Sequence, residues 1–145
     1  MDFFKSMEVS AAGLSVERTR INVAASNLAN ANTTDDGTGG PYQRRDVVVS
    51  ADPARDMNTG GGVGAETPGV FTVKVDGIVA DASPPRLEYD PGHPDADADG
   101  YVAYPNVNVI EEMVSMITAS RAYEAGVTAL DSAVTMAERA LNIGG

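Results

Sequence analysis

The chain has 145 residues, enough for one domain, and its composition excludes several kinds of chemistry. It contains no cysteine, so disulfides, thiolate metal sites and a cysteine nucleophile are excluded. The formal net charge is −11, and −8 of it lies in residues 32–106. This charge argues against nucleic acid and anionic membranes as partners, because both repel an acidic surface.

Targeting signals are sparse in the sequence. No segment approaches the roughly 20 consecutive apolar residues that span a bilayer, so we expect no direct membrane insertion. The N-terminus MDFFKSMEVSAAG lacks the basic leader and continuous apolar run of a secretory signal. We therefore expect a protein that stays in the cytosol or leaves it without a cleaved signal peptide.

Residues 2–31 carry a heptad pattern, which predicts a long N-terminal helix. Asp2 is its predicted N-cap, and the asparagines of residues 27–32 mark its end. Arg18 is the one charged member of the pattern, and it is either a side chain that snorkels to water or a polar group that sets helix register. The members of the pattern are Phe4, Met7, Ala11, Leu14, Arg18, Ile21, Ala25 and Leu28.

Residues 35–104 combine loops with short strands. Three valines near the end of residues 42–50 predict a short strand there, and alternation of apolar and polar residues predicts strands over 70–82 and 86–89, with Asp76-Gly77 as a tight turn or bulge. Residues 101–104 (YVAY) are predicted to form the last strand. The Gly-rich tract at 59–64 lacks the Lys-Ser or Lys-Thr of a phosphate loop, so a hairpin tip is the better interpretation.

One stretch of this region imitates a metal site. Asp95, Asp97 and Asp99 followed by Gly100 match the first half of a calcium loop. The position that should hold a bidentate Glu is Asn106, and prolines exclude a helix before the loop. An acidic turn is the favoured interpretation, and a calcium-binding interaction module is the alternative. The lone His93 is predicted to be a turn residue.

The last forty residues carry the longest pattern in the chain. Asn108 is the predicted N-cap, with Glu111 three residues later, and the helix would be roughly 50 Å long. Gly126 weakens the helix locally or permits another helix to approach closely. The heptad positions are Val109, Met113, Met116, Ser120, Tyr123, Val127, Leu130, Val134, Ala137 and Leu141. A seam of this length needs another helix, from this chain or from another molecule.

Together these patterns predict an α+β fold. Long N- and C-terminal helices pair as a coiled-coil-like helical domain of residues 1–34 and 105–145, and residues 35–104 form a β-rich insertion. No convergent set of nucleophile, base and acid is visible, so we predict no catalytic residues, no enzyme activity and no cofactor. The predicted functional residues are those of an assembly seam, which comprises Phe4, Met7, Ala11, Leu14, Ile21, Leu28, Val109, Met113, Met116, Tyr123, Val127, Leu130, Val134 and Leu141.

Several blocks of the sequence resemble one known family. Residues 26–33 (SNLANANT) are similar to the N-terminal signature of bacterial flagellar rod and hook proteins, and residues 39–45 (GGPYQRR) to the block that follows it. Residues 90–97 (DPGHPDAD), 100–108 (GYVAYPNVN), 111–113 (EEM) and 120–125 (SRAYEA) resemble the flagellar basal-body rod proteins, especially those of the proximal rod.

The resemblance implies a structural protein of the bacterial flagellum. Members of the family are exported through the flagellar type III apparatus without a cleaved signal, and they polymerise with themselves and other rod subunits. The rod that they form crosses the periplasm and transmits torque, and the terminal helices make its inner domain. The resemblance also favours a structural turn over a calcium site at residues 95–100.

Overall fold

The computed structural model describes residues 3–55 and 66–143 and confirms the predicted α+β fold. Its elements in chain order are α1 (Phe3–Ala29), β1 (Arg45–Arg55), β2 (Glu66–Ala80), β3 (Arg86–Tyr89), β4 (Tyr101–Tyr104) and α2 (Val109–Ile143). The predictions for Asp2 and for the Gly-rich tract at 59–64 fall outside the described residues.

The two helices pack against each other in antiparallel orientation. Asn27 near the end of α1 contacts Glu112 at the start of α2, while Leu14 in the middle of α1 lies against Gly126. A Cβ added at Gly126 would stand 2.8 Å from Leu14 Cδ2. This confirms that Gly126 permits a close approach of two helices.

The face of α2 that turns toward the rest of the chain is built largely of small residues. Its members recur in steps of four and three and are all buried or half-buried: Glu112, Met116, Ala119, Tyr123, Gly126, Leu130, Ala133 and Ala137. This inner face shares Met116, Tyr123, Leu130 and Ala137 with the predicted heptad pattern. Between these shared positions the inner face has Ala119, Gly126 and Ala133, whose small side chains let the two helices approach closely.

Strands β1 and β2 form a long antiparallel hairpin, and both contact α1. Val48 pairs with Gly77 and Val49 with Val75, so Asp76 is an extra residue on β2. The predicted turn or bulge at Asp76-Gly77 is therefore a bulge, which raises the local twist of the hairpin. The hairpin is longer than the predicted strands, because the ladder continues toward Arg55 and Glu66.

A second, shorter hairpin joins β3 to β4 and leads into α2. Both of its strands have the predicted bounds. The side chain of Val102 in β4 is fully buried and holds the hairpin against the rest of the chain. After β4, the Asn108 carboxamide oxygen accepts hydrogen bonds from the backbone N–H groups of Ile110 (3.1 Å) and Glu111 (3.5 Å). This confirms Asn108 as the N-cap of α2.

The apolar core is small for a chain of this length. Among the described residues the buried apolar side chains are Val16, Val23, Ala24, Ala31, Tyr42, Val102 and Ala119. Many larger apolar side chains remain exposed on α2 and on the two hairpins. The fold therefore keeps much of its apolar surface outside the core.

Candidate assembly interface

The predicted assembly seam divides into two halves in the structure. Seven of its fourteen residues are half-buried in the chain: Met7, Leu14, Ile21, Leu28, Met116, Tyr123 and Leu130. The other seven are exposed: Phe4, Ala11, Val109, Met113, Val127, Val134 and Leu141. The single chain thus satisfies only part of the seam.

The exposed apolar side chains of α2 extend along most of its length. Near the start of the helix Ile110, Val114 and Ile117 recur in steps of four and three, and Val114 is 58% exposed. Val127, Val134 and Leu141 continue the exposed half of the seam toward the end of the helix. Exposed apolar side chains in this number along one helix indicate a surface available for protein–protein contact. We name these exposed apolar residues of α2 the outer face.

A buried hydrogen-bond network fixes the end of α1 against the start of β1. Asn27 is only 1% exposed, and its Oδ1 accepts hydrogen bonds from the Arg45 backbone N–H (2.9 Å) and the Tyr42 hydroxyl (2.9 Å). Its Nδ2 donates to the Arg45 carbonyl oxygen (2.8 Å) and to Glu112 Oε2 (3.0 Å). The carboxamide therefore uses all four of its hydrogen-bonding positions, as a buried polar group must.

The same network reaches α2 through an ion pair whose carboxylate is buried. Glu112 is 3% exposed, and its Oε1 accepts a hydrogen bond of 2.7 Å from Arg44 Nε. The Arg44 side chain is half-buried, and its Nη1 also lies 3.8 Å from carboxylate oxygens of both Asp46 and Asp81. Burial by itself lowers the pKa of Arg44, but the hydrogen bond and charge of Glu112, together with the charges of Asp46 and Asp81, raise the pKa above its ordinary value.

We call Asn27, Tyr42, Arg44, Arg45 and Glu112 the junction. It ties together three segments that are far apart in the sequence, namely the end of α1, the start of β1 and the start of α2. A fully satisfied polar network in a low-dielectric interior holds its members in one arrangement. The junction therefore sets the angle at which α2 presents its outer face.

The sequence patterns did not identify the junction. Asn27 is predicted only as one of the asparagines that mark the end of α1. The predicted heptad pattern contains Val109, Met113 and Met116 and omits Glu112, so it does not place that carboxylate on the covered side of α2. The burial of Glu112, and with it the need for a buried partner, follows from the inner face that the structure defines.

The acidic turn at residues 95–100 is organised by its own hydrogen bonds. Asp97 Oδ1 accepts from the backbone N–H groups of Asp99 (2.9 Å) and Tyr101 (2.8 Å), and Asp95 Oδ2 accepts from the Thr34 hydroxyl (2.7 Å). His93 Nδ1 accepts the backbone N–H of Asp95, so His93 is a turn residue as predicted. These contacts favour a structural turn over the calcium alternative.

Two features are absent from residues 3–55 and 66–143. No group of three His, Cys, Asp or Glu side chains in this part of the chain is arranged to hold a metal ion. Neither described helix is both long and apolar enough to cross a membrane.

Comparison with known proteins gives consistent matches at both ends of the chain and along its whole length. The family profile described as "Flagella basal body rod protein" matches residues 7–35, and that described as "Flagellar basal body rod FlgEFG protein C-terminal" matches residues 98–143. The chain is 41% identical to the flagellar basal-body rod protein FlgC of Borreliella burgdorferi, with 99% of this chain and 98% of the relative covered. It is 38% identical to the FlgC proteins of Salmonella typhimurium and Bacillus subtilis, with 99% of each chain covered.

These matches and the paired terminal helices define a structural protein of the bacterial flagellum. The chain belongs to the flagellar basal-body rod protein family. Within that family it is FlgC-like, since the three relatives just described are all FlgC proteins and align over nearly the full length of the chain.

Proposed function

We propose that this chain is a structural subunit of the proximal part of the flagellar rod, without catalytic activity. Residues 1–34 and 105–145 form its helical assembly domain, and residues 35–104 form a β-rich insertion. The subunit polymerises with copies of itself and with other rod subunits, and the resulting shaft crosses the periplasm and transmits torque. The observation that carries the proposal is the outer face of α2, which remains exposed although α2 is already paired with α1.

The partly satisfied seam supports this role. Its half-buried residues contribute to the packing of the chain itself, while its exposed residues are available to other molecules. Burying apolar area contributes about 25 cal/mol per Å², so a long exposed strip favours association even against the self-repulsion of a chain with net charge −11. A subunit with two different contact surfaces assembles head to tail, and such contacts build tubes rather than closed dimers.

The junction suits a shaft that is loaded in torsion. A torque acting on the helices tends to rotate α2 relative to α1, and the Asn27–Glu112 and Arg44–Glu112 contacts oppose that rotation close to the start of α2. The Asp46 and Asp81 carboxylates add charge on the other side of Arg44 and hold the guanidinium in place. Rigid linkage between subunit parts is what a drive shaft requires.

We further propose that the chain leaves the cytosol through the flagellar type III export apparatus, without cleavage of a signal peptide, and resides in the basal body. The apolar core is small, with only seven buried apolar side chains among the described residues. A small core gives a low free energy of unfolding, which suits a subunit that must be exported unfolded.

The assembly proposal is tested in a flagellated host whose own proximal rod gene is replaced by this chain or its variants. Val127→Asp places a charge on the outer face at a side chain that is 43% exposed, so the fold tolerates it while contacts with neighbours do not. We expect loss of motility and of rods in electron micrographs of isolated basal bodies. Thr128→Asp adds the same charge at the next, also exposed, position and should retain rods. Normal rods with Val127→Asp, or basal bodies that lack this chain entirely, would contradict the proposal.

A further inference from the structure

One face of the short β3–β4 hairpin carries exposed apolar and aromatic side chains. Leu87 pairs with Ala103 and Tyr89 with Tyr101, so these four residues lie on the same face of the two-stranded sheet. The exposed fractions are 63% for Leu87, 65% for Tyr89 and 44% for Tyr101. The two tyrosine rings stand edge to face, with their centroids 5.4 Å apart. We call these four residues the tyrosine face.

The opposite face of this hairpin is turned toward the rest of the chain. It carries Val102, which is fully buried, and Tyr104, which is half-buried. Since successive residues of a strand point to opposite faces, Tyr101 and Ala103 point away from the side on which Val102 is buried. Among the described helices and strands, β3 and β4 contact only each other. No described helix or strand therefore covers the tyrosine face.

Carboxylates lie next to the tyrosine face. Asp97 Oδ1 accepts the backbone N–H of Tyr101 at 2.8 Å, which places this carboxylate at the start of β4. On the side of Ala103 there is an open depression of about 370 Å³, and its lining includes the acidic residues Asp35 and Asp95. Both of these residues are exposed, so their charges act on whatever approaches the tyrosine face.

The chain leaves most of these charges without a basic partner. Residues 86–104 contain five acidic residues and one arginine, Arg86, which lies 3.7 Å from Glu88. His93 Nδ1 lies 3.8 Å from Asp95 Oδ2, but it accepts the Asp95 backbone N–H, so this nitrogen carries no proton. In the part of the chain that the structure describes, five carboxylates of this region form no ion pair with lysine or arginine: Asp35, Asp90, Asp95, Asp97 and Asp99.

A cationic group fits both the rings and the carboxylates. The face of an aromatic ring attracts a guanidinium or ammonium group, and carboxylates form charge-assisted hydrogen bonds with the same cations. The stretches outside the described residues, 1–2, 56–65 and 144–145, contain no lysine or arginine and cannot supply this cation. A second copy is disfavoured, because each copy has a net charge of −11 and is repelled by an acidic surface. The charge therefore indicates a basic segment of a different protein.

We propose that the tyrosine face binds an arginine- or lysine-bearing segment of a different protein. One cation stacks on the rings of Tyr89 and Tyr101, and Leu87 contacts the aliphatic stem of its side chain. Asp35 and Asp95 pair with a second basic side chain of the segment in the neighbouring depression. This surface lies outside the helices to which the proposed function assigns self-assembly. The proposal therefore goes beyond the proposed function and does not depend on it.

Peptide binding to the purified full-length chain tests the proposal. The probe is a fluorescein-labelled peptide of alternating arginine and glycine, and a control peptide carries citrulline, which keeps the shape of arginine but has no charge. We expect the anisotropy of the arginine peptide to rise on titration with the chain, and its binding to be weaker in about 0.15 M than in about 0.01 M salt. The citrulline peptide should not bind. An arginine peptide that fails to bind, or a citrulline peptide that binds equally well, would overturn the proposal.

A matched pair of aromatic substitutions locates the binding. Tyr89→Leu removes one ring of the tyrosine face but keeps an apolar side chain, and Phe71→Leu removes a ring that is 57% exposed on β2. Because an exposed cation–π contact contributes modestly, Tyr89→Leu should raise the Kd about two- to fivefold, whereas Phe71→Leu should leave it within about 1.5-fold. Equal effects of the two substitutions would show that the tyrosine face is not the binding site.

A matched pair of charge substitutions separates this site from general attraction to an acidic protein. Asp35→Asn combined with Asp95→Asn removes two carboxylates but keeps an oxygen at each position to accept the hydrogen bonds of the native turns. Asp131→Asn combined with Glu138→Gln makes the same change in net charge at exposed positions of α2. The first variant should raise the Kd about fivefold, and the second should leave it within about twofold. Equal effects would mean that only the net charge attracts the peptide.

Sedimentation of the purified chain tests a second copy as the occupant. We expect the Tyr89→Leu variant and the unsubstituted chain to have the same distribution of monomers and oligomers. A dimer that Tyr89→Leu abolishes would show that the tyrosine face binds another copy, and it would overturn the proposal.

Discussion

Replacing Asn27 by alanine removes all four hydrogen bonds that its carboxamide makes in the junction. The Tyr42 hydroxyl keeps its 3.3 Å contact with Ser26 Oγ, so the buried atom that loses its partner is Glu112 Oε2. The backbone groups of Arg45 belong to an exposed residue and can be hydrated. A buried group that loses its partner costs about 1–3 kcal/mol, so we expect the free energy of unfolding to fall by about 2 kcal/mol.

The measurement is urea denaturation of the purified chain, followed by far-ultraviolet circular dichroism. The midpoint should fall while the slope of the transition is unchanged, and a thermal scan should show a decrease in Tm of about 7 °C. A decrease in unfolding free energy of less than about 1 kcal/mol would refute the account of the junction, because it would mean that the orphaned groups find other partners.

The substitution Asn27→Asp sharpens the same test. It replaces the Nδ2 donor by a carboxylate oxygen that faces Glu112 Oε2 at about the 3.0 Å of the native contact. Two carboxylates at this distance repel each other, so the variant should be less stable than Asn27→Ala at neutral pH. The repulsion raises the pKa of the introduced group, so its penalty should shrink as the pH falls toward about 4. A penalty that does not change with pH would contradict this explanation.

Three further predictions concern other contacts. In a double-mutant cycle of Arg44→Met and Glu112→Gln, we expect a coupling free energy of more than about 1 kcal/mol, measured by urea denaturation, because the two side chains share a charge-assisted hydrogen bond of 2.7 Å whose carboxylate is buried. Gly126→Ala should change the free energy of unfolding by less than about 1 kcal/mol, because the roughly 1 kcal/mol that Ala gains over Gly inside a helix offsets the displacement of Leu14 Cδ2 by the added Cβ. In a chain that already carries Leu14→Ala, the same substitution should stabilise the fold by about 1 kcal/mol. Gly100→Ala should lower Tm by several degrees, because Gly100 has φ of +84° and an added Cβ would stand 2.9 Å from Tyr89 Cε2. An unchanged Tm in that last variant would show that the turn relaxes freely.

The secondary structure was largely readable from the sequence, because its signals are local. The cap at Asn108 uses groups within three residues of each other, and strand β3 alternates polar and apolar residues in its sequence RLEY. The bulge at Asp76 was indicated by the Asp-Gly pair. By contrast, the ladder toward Arg55 and Glu66 depends on pairing between strands, which no local pattern reports.

The sequence did not predict which residues of the heptad seam the chain covers by itself and which it leaves exposed. A heptad pattern is recognised from large apolar residues such as Val127 and Val134. The inner face of α2 instead uses Ala119 and Gly126, which are too small to mark such a pattern. Close helix approach favours those small residues because backbone proximity, rather than side-chain size, sets the contact. Sequence periodicity therefore locates the helix and its apolar half, but not the part of that half that the chain covers by itself.

The junction has a consequence for the order of folding events. Asn27 and Glu112 are 85 residues apart in the sequence, so their contact closes a loop that contains both hairpins. Until Glu112 arrives, an emerging chain lacks the buried carboxylate that accepts the hydrogen bonds of Arg44 Nε and Asn27 Nδ2, and α1 has no helical partner at its end. Closing so long a loop is entropically costly and slow compared with forming either hairpin. The packing of α2 is therefore the last step of folding. A chain truncated before residue 112 should form its strands but leave α1 without a packed partner helix.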